Sequence, residues 1–278
     1  MASRPIGPEL NQLSRLLFDD AASNWYMSAG IEIVAGILGA VLSITGASDN
    51  WALLGAIVGL ALFAVAYYLR LRFEDKYDRA ETMRRQSVLT EALDWPVEPI
   101  QASEWRRRAG RKIMERFKLQ PRSQGYYSTP EPIGSGRLAE MTLESAFWTR
   151  HLYGKLRTIV WAIFVLALIV SGLVISIPAF GIAPQGVAIR IATAVYILLP
   201  ILLTIDLLGW AIRLGRLMSS IRAIEIDLER LKASGSLDAQ QVLRLVSEYN
   251  CQVIGGFPIH PWIYRHWHDE IHELWTQR

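Results

Sequence analysis

The sequence has one cysteine, Cys251, among 278 residues, so no disulfide can form within the chain and nothing in its redox chemistry points to an extracellular domain. It also lacks a Gly-rich phosphate loop, a nucleophile elbow and any cysteine-based metal motif. The opening MASRPIGPELNQLSRLLFDDAASNWY contains no apolar run ending in a small-residue cleavage site, so no removable signal peptide is expected. Charge is scarce only in places. The chain carries 29 Lys and Arg against 26 Asp and Glu, yet Trp51 to Leu69 and Thr158 to Ile189 hold none of them. This segregation, in a chain that is 51% apolar, marks alternating membrane and aqueous segments. Four spans of about 20 residues each would leave roughly 190 residues for water, too few for a large independent enzyme. Neither catalysis nor a cofactor is expected.

The segregated pattern predicts an all-α integral membrane protein with four transmembrane helices arranged as two hairpins. The first apolar run, Met27 to Thr45, is interrupted only by Glu32, and the second covers Trp51 to Leu69. Each is long enough to cross a hydrocarbon core of about 30 Å at about 1.5 Å per residue. Only Gly46 to Asn50 separates them, which predicts an antiparallel pair over 27–69. In the third run, Pro178, Gly181, Pro184 and Gly186 mark a tight loop after a span that starts near Thr158. The fourth, Val187 to Trp210, is the weakest: its uncharged core is short, bounded by Arg190 and Asp206, and contains Pro200. A buried globular helix is the competing reading for it.

Basic residues near span ends set orientation. Arg70, Arg72, Lys76, Arg79, Arg84 and Arg85 follow the second run. Arg150, Lys155 and Arg157 precede the third, and Arg213, Arg216 and Arg222 follow the fourth. The two short connections have no Lys or Arg. They are expected to face outward, with both termini cytoplasmic and Arg190 snorkelling from an outer boundary.

Three cytoplasmic parts are then expected: an amphipathic segment over 1–26, a basic helical insert over 70–157, and a stalk with C-terminal helices over 211–278. Within the insert, the second span should continue as a helix to Asp94, and the two prolines of Trp95 to Gln101 should end it. Ser103 is the expected N-cap of a helix running to Lys118, and a third helix should run from Leu138 to Arg157. After the fourth span, Trp210, Leu214, Leu217, Ile221, Ile224, Leu228 and Leu231 form a seam of period 3.5. It serves either a coiled coil between subunits or packing on the chain's own helices. Ser236 is the expected cap of a helix from Leu237 to about Val253.

Three groups of residues are candidates for function. The run Trp105 to Lys112 places Arg106, Arg107, Arg108, Arg111 and Lys112 beside Trp105. Its cations suit phosphates and its indole suits base stacking, although anionic lipid headgroups, at about 1 kcal/mol per cation, explain the same run. A basic stripe for duplex DNA is absent. Inside or bordering the spans, Glu32, Asp206 and Arg190 are expensive in hydrocarbon; Glu32 and Asp206 serve either as structural residues paired with Arg70, Arg213 or one another, or as the lining of a cation-permeable pore mouth. Gly55 with Gly59, and Gly36 with Ala40, are small-residue pairs that let helices approach closely. Four of the five histidines, His260, His266, His268 and His272, fall in the last 19 residues. His268 and His272 share a helix face, but no third ligand is evident, and an aromatic terminal helix is the favoured reading.

The layout resembles the SMODS-associated four-transmembrane effector family of bacterial cyclic-oligonucleotide antiphage signalling. The resemblance rests on the lead-in LNQLSRLLFDDAASNWY, the short-turn hairpin, the helical insert, the second hairpin, and the ending with Phe257, Pro258, Pro261, Trp262, Ile263 and Tyr264. The histidine cluster departs from that family's ending. Membership would imply a homo-oligomeric effector of the bacterial inner membrane. A cyclic nucleotide ligand from a partner synthase would bind its cytoplasmic part and drive permeabilisation of the lipid bilayer. A constitutive small ion channel or transporter is the alternative.

Overall fold

The computed structural model describes residues 6–45, 49–120, 127–179, 184, 186–187, 189–190, 207–235 and 237–278. They are helical, with no strand among the described residues. The helices are α1 (Ile6–Thr45), α2 (Asp49–Leu93), α3 (Pro99–Ala109), α4 (Arg111–Leu119), α5 (Ser135–Ala179), α6 (Leu207–Ala233), α7 (Ala239–Ile254) and α8 (Pro261–Thr276). Three of them, over Ile6–Leu42, Asn50–Leu93 and Ser135–Leu173, are long and apolar enough to cross a membrane. At 45 residues each, α2 and α5 are about 68 Å long, roughly twice the thickness of a hydrocarbon core. The expected fourth span and the loop before it fall largely outside the described residues.

The chain divides into two units. The first comprises Met1–Ala22, Phe73–Lys155 and Gly215–Arg278; the second comprises Ser23–Arg72 and Leu156–Leu214. Each of α1, α2, α5 and α6 therefore contributes one end to each unit without a break in the helix.

In the first unit, the apolar stripe of α1 is buried: Leu10, Leu13, Leu16, Leu17 and Ala21 are at most 2% exposed. Leu13, Leu16 and Leu17 join Ala80 and Met83 of α2, Ala109 of α3 and Ile113 of α4 in one cluster. Burying each leucine contributes roughly 2 kcal/mol, so the lead-in segment is a core element of this unit. The seam of α6 is also covered by the chain itself, since Ile221, Ile224 and Leu228 are buried.

Several helix boundaries differ from expectation for local reasons. Asp94 takes a left-handed φ of 55°, which ends α2, and the next helix begins at Pro99 with Glu98 as N-cap. Proline suits this first position because its missing N–H would be unpaired there anyway. The expected single helix from Ser103 to Lys118 is two helices, because Gly110 adopts φ 82° between them. Ser103 lies inside α3, where its hydroxyl bonds the Ile100 carbonyl. Helix α5 starts at Ser135, three residues before the expected Leu138. Asp238 caps α7 through its side chain, whereas Ser236 is outside the described residues.

The Gly255–Gly256–Phe257–Pro258 turn has a specific packing role. Tyr77 donates to the Val253 carbonyl and Tyr153 to the Phe257 carbonyl, both at 3.5 Å. A Cβ on Gly256 would lie 2.5 Å from each of these tyrosine oxygens and 2.8 Å from the Val253 carbonyl oxygen. The turn thus presses bare backbone onto two buried hydroxyls. We expect Gly256→Ala to lower the melting temperature of the detergent-solubilised protein markedly and Gly255→Ala, which meets open space, to lower it far less. Equal shifts would contradict this packing role.

Candidate functional site

The candidate residues fall in both units. In the second unit, Glu32 of α1 is 5% exposed and accepts two hydrogen bonds from Nη2 of Arg70 on α2, at 3.0 and 3.2 Å. Four residues earlier on α1, the Ser28 hydroxyl donates to the Ala66 carbonyl at 2.9 Å. At the other end of this contact, a Cβ on Gly55 would overlap the Leu42 side chain. Ser28 thus meets Ala66 and Leu42 meets Gly55 along the contact of α1 with α2, while the long side chain of Arg70 reaches Glu32.

Small residues make this close approach possible. Gly36 and Ala40 are buried on α1. Gly55 is held against Leu42, whereas a Cβ on Gly59 would meet nothing within 4 Å. Of the other intramembrane candidates, Arg190 is helical and exposed, and Asp206 lies outside the described residues. The structure therefore pairs Glu32 with Arg70, one of the arginines expected for it.

In the first unit, the basic run occupies the end of α3 and the start of α4. Every cation in it faces a carboxylate. Arg106 binds Glu9 with two bonds of 2.6 and 2.8 Å, and burial of this pair is partial. Glu104 serves Arg107 at 4.0 Å and Arg108 at 2.5 Å. Glu115 serves Arg111 at 2.8 Å, and Asp20 serves Lys112 at 3.4 Å. The side chains of Arg107, Arg111 and Lys112 are nonetheless 81%, 93% and 78% exposed. Pairs this wet on the cation side contribute little, about 0–1 kcal/mol. The Trp105 ring is half-buried against the α1–α2–α3–α4 cluster, where it serves as packing instead of standing free for a base.

Two buried charge nodes of the first unit escaped sequence reasoning. Glu81, 4% exposed, accepts from Arg84 at 2.6 and 2.9 Å and from Arg85 at 3.0 Å. Arg84 also donates to the Asn250 side chain at 2.8 Å, and Arg85 to the Asn250 carbonyl at 3.2 Å. Burial pushes the Glu81 carboxyl up, but the two guanidiniums outweigh it and hold it below the ordinary range. In the second node, Glu225 accepts from Arg150 at 2.8 and 3.1 Å and lies 3.6 Å from Arg278. An open cleft of about 390 Å³ adjoins this node, with Ser128, Glu140, Glu229, Lys232, Trp275 and Arg278 among its walls. Its cations are paired within the chain, Lys232 with Glu140 and Arg278 with Glu229. Near the same loop, burial raises the Glu144 carboxyl despite bonds from the Ser128 amide and hydroxyl.

The terminal histidines occupy α8. His260 caps the helix by accepting from the Trp262 amide at 3.1 Å, and His268 stacks on His272 with ring centres 5.9 Å apart. Among the described residues no group of three or more His, Cys, Asp or Glu is placed to hold a metal.

No family model, curated protein or solved structure matches the chain. Its function is therefore argued from the arrangement itself.

The Glu32–Arg70 pair yields a test of structural against pore-lining use. Removing one partner of a buried ion pair costs about 3–5 kcal/mol, so Glu32→Gln should lower thermal stability in detergent strongly. The exchange of both residues, Glu32→Arg with Arg70→Glu, should recover a large part of the loss. A Glu32→Gln protein as stable as the parent would show that the pair does not hold these helices.

Proposed function

We propose that the chain is a membrane-embedded effector, in which a helical bundle outside the bilayer senses a cyclic nucleotide second messenger. Oligomers of the chain then permeabilise or depolarise the bacterial inner membrane. The observation that carries this reading is that α1, α2 and α5 are each continuous from the polar unit into the apolar one. A change of packing among their polar ends falls on the same helices that build the apolar unit. The resemblance to the four-span effectors supports the same reading, and so do the exposed cations of the α3–α4 run.

In this scheme the four spans form two hairpins with both termini in the cytoplasm. The nucleotide's phosphates engage Arg107, Arg108, Arg111 and Lys112 by exchanging with Glu104, Glu115 and Asp20. Arg106 holds α1 to α3 through Glu9, so a phosphate that recruits Arg106 would release that link and bias the bundle between two packings. Because α1 continues to Thr45, that bias acts on the apolar helices directly.

Co-expression with an active cyclic-oligonucleotide synthase should collapse the membrane potential of the host cell, read with a potential-sensitive dye. Replacing Arg106, Arg107 and Arg108 together by Gln should abolish the collapse while leaving the protein inserted in the membrane. Unchanged potential in the presence of inserted protein and nucleotide would overturn the proposal. Depolarisation that needs no synthase and survives the triple replacement would instead identify a constitutive channel.

A further inference from the structure

The aromatic residues of α8 are not all used for packing. Its inner face is fixed by Ile263 and Ile271, which are 4% and 0% exposed. Tyr264 and His268 lie beside Trp148, with ring centres 5.9 and 5.4 Å away, and Trp275 lies 5.2 Å from Phe147. Trp262 belongs to none of these contacts with other helices. It is 52% exposed and stacks on His266 at 5.2 Å, while both rings meet Trp267, at 5.6 and 4.6 Å. Three contiguous rings thus form a patch on the outer side of the helix, beside the exposed Arg265.

One contact locates that patch along the chain. Lys155 of α5 bonds Glu270 at 2.7 Å, and its ammonium lies 5.6 Å from the Trp267 ring. Lys155 lies three positions before Thr158, where the uncharged run of α5 begins, a rise of about 4.5 Å. A tryptophan and histidine patch at this level sits where amphipathic rings are favoured, with the ring in the headgroup layer and its N–H still hydrated. The same chemistry recurs where the other apolar runs end. Trp25 and Tyr26 directly precede Met27, Tyr67 and Tyr68 close the second run, and Trp210 meets Trp25 at 4.5 Å.

We propose that α8 is an interfacial helix whose Trp262–His266–Trp267 patch seats in the lipid headgroup layer. The surface it fits is a phospholipid bilayer, and the proposal rests on the reading that the uncharged run of α5 spans that bilayer. The helix then clamps the C-terminal part of the first unit to the membrane surface through its first two turns; Asp269 and Glu273, seven residues beyond Trp262 and His266, share their face further along the helix, and Glu270 is neutralised by Lys155.

The test uses the full chain in phosphatidylethanolamine–phosphatidylglycerol proteoliposomes, with the exposed Cys251 replaced by Ser. Nitroxide labels are placed singly through His266→Cys and Arg265→Cys on α8, Arg244→Cys on the solvated face of α7, and Leu166→Cys on the exposed apolar face of α5. Relaxation by oxygen, which partitions into lipid, is compared with relaxation by a water-soluble nickel chelate. The label at 166 should be oxygen-dominated and the label at 244 nickel-dominated. The labels at 266 and 265 should show an oxygen-to-nickel ratio several-fold above that at 244. A ratio at both α8 sites equal to that at 244 would overturn the interfacial role, as would dipolar broadening there from a second copy of the chain. A nickel-dominated label at 166 would overturn the membrane reading beneath it.

Discussion

A hydrocarbon core offers no hydrogen-bond partner to the backbone, and from that constraint the rest of this structure follows. Each unpaired amide in lipid costs several kcal/mol, so a crossing segment must satisfy itself as an unbroken helix. Once the helix is committed to that length, extending it into water costs little. α1, α2 and α5 exploit this by running on from the apolar unit into the polar one. The polar unit is built on the ends of the helices that the lipid requires, instead of being a separate domain tethered by a loop.

That arrangement changes what holds each unit together. In the apolar unit there is no hydrophobic gain from bringing two helices together, because lipid is as apolar as leucine. Close approach at Gly55, the Ser28 bond to the Ala66 carbonyl, and the Glu32–Arg70 pair supply the specificity instead. In the polar unit the familiar driving force returns, with leucines of α1 and α6 buried. There the carboxylates Glu81 and Glu225 are buried where each is multiply bonded by arginines. Such nodes add little net stability, but each fixes which helix faces which. Arg84 and Arg85 lock α2 to Asn250 of α7, and Arg150 locks α5 to α6.

What the sequence revealed was set by the range of the interaction that shaped each feature. Runs without charge and seams of period 3.5 are local, and both the apolar helices and the buried positions Leu214, Ile221, Ile224 and Leu228 could be read from them. Pairs such as Glu104 with Arg108 or Arg111 with Glu115 are one helical turn apart, a spacing within reach of the sequence that the reading of the basic run did not use. The remainder was non-local. Asn250 is 166 residues from Arg84, and Glu9 is 97 from Arg106, so no spacing rule links them. Gly110 looked like a tolerated interruption in a helix-forming arginine-rich run, and only its left-handed φ divides α3 from α4. The Gly255–Gly256 pair read as a break; its purpose, contact with Tyr77 and Tyr153, depends on helices from elsewhere in the chain. The expected fourth span falls largely outside the described residues, Pro200 and Asp206 included.

The proposed coupling between the two units is open to direct measurement with the purified chain. Ion efflux from proteoliposomes should be negligible with the protein alone and should rise many-fold when cyclic oligonucleotide is added on the side exposing the polar unit. A flux that is the same with and without nucleotide, across the cyclic di- and trinucleotides, would contradict the account.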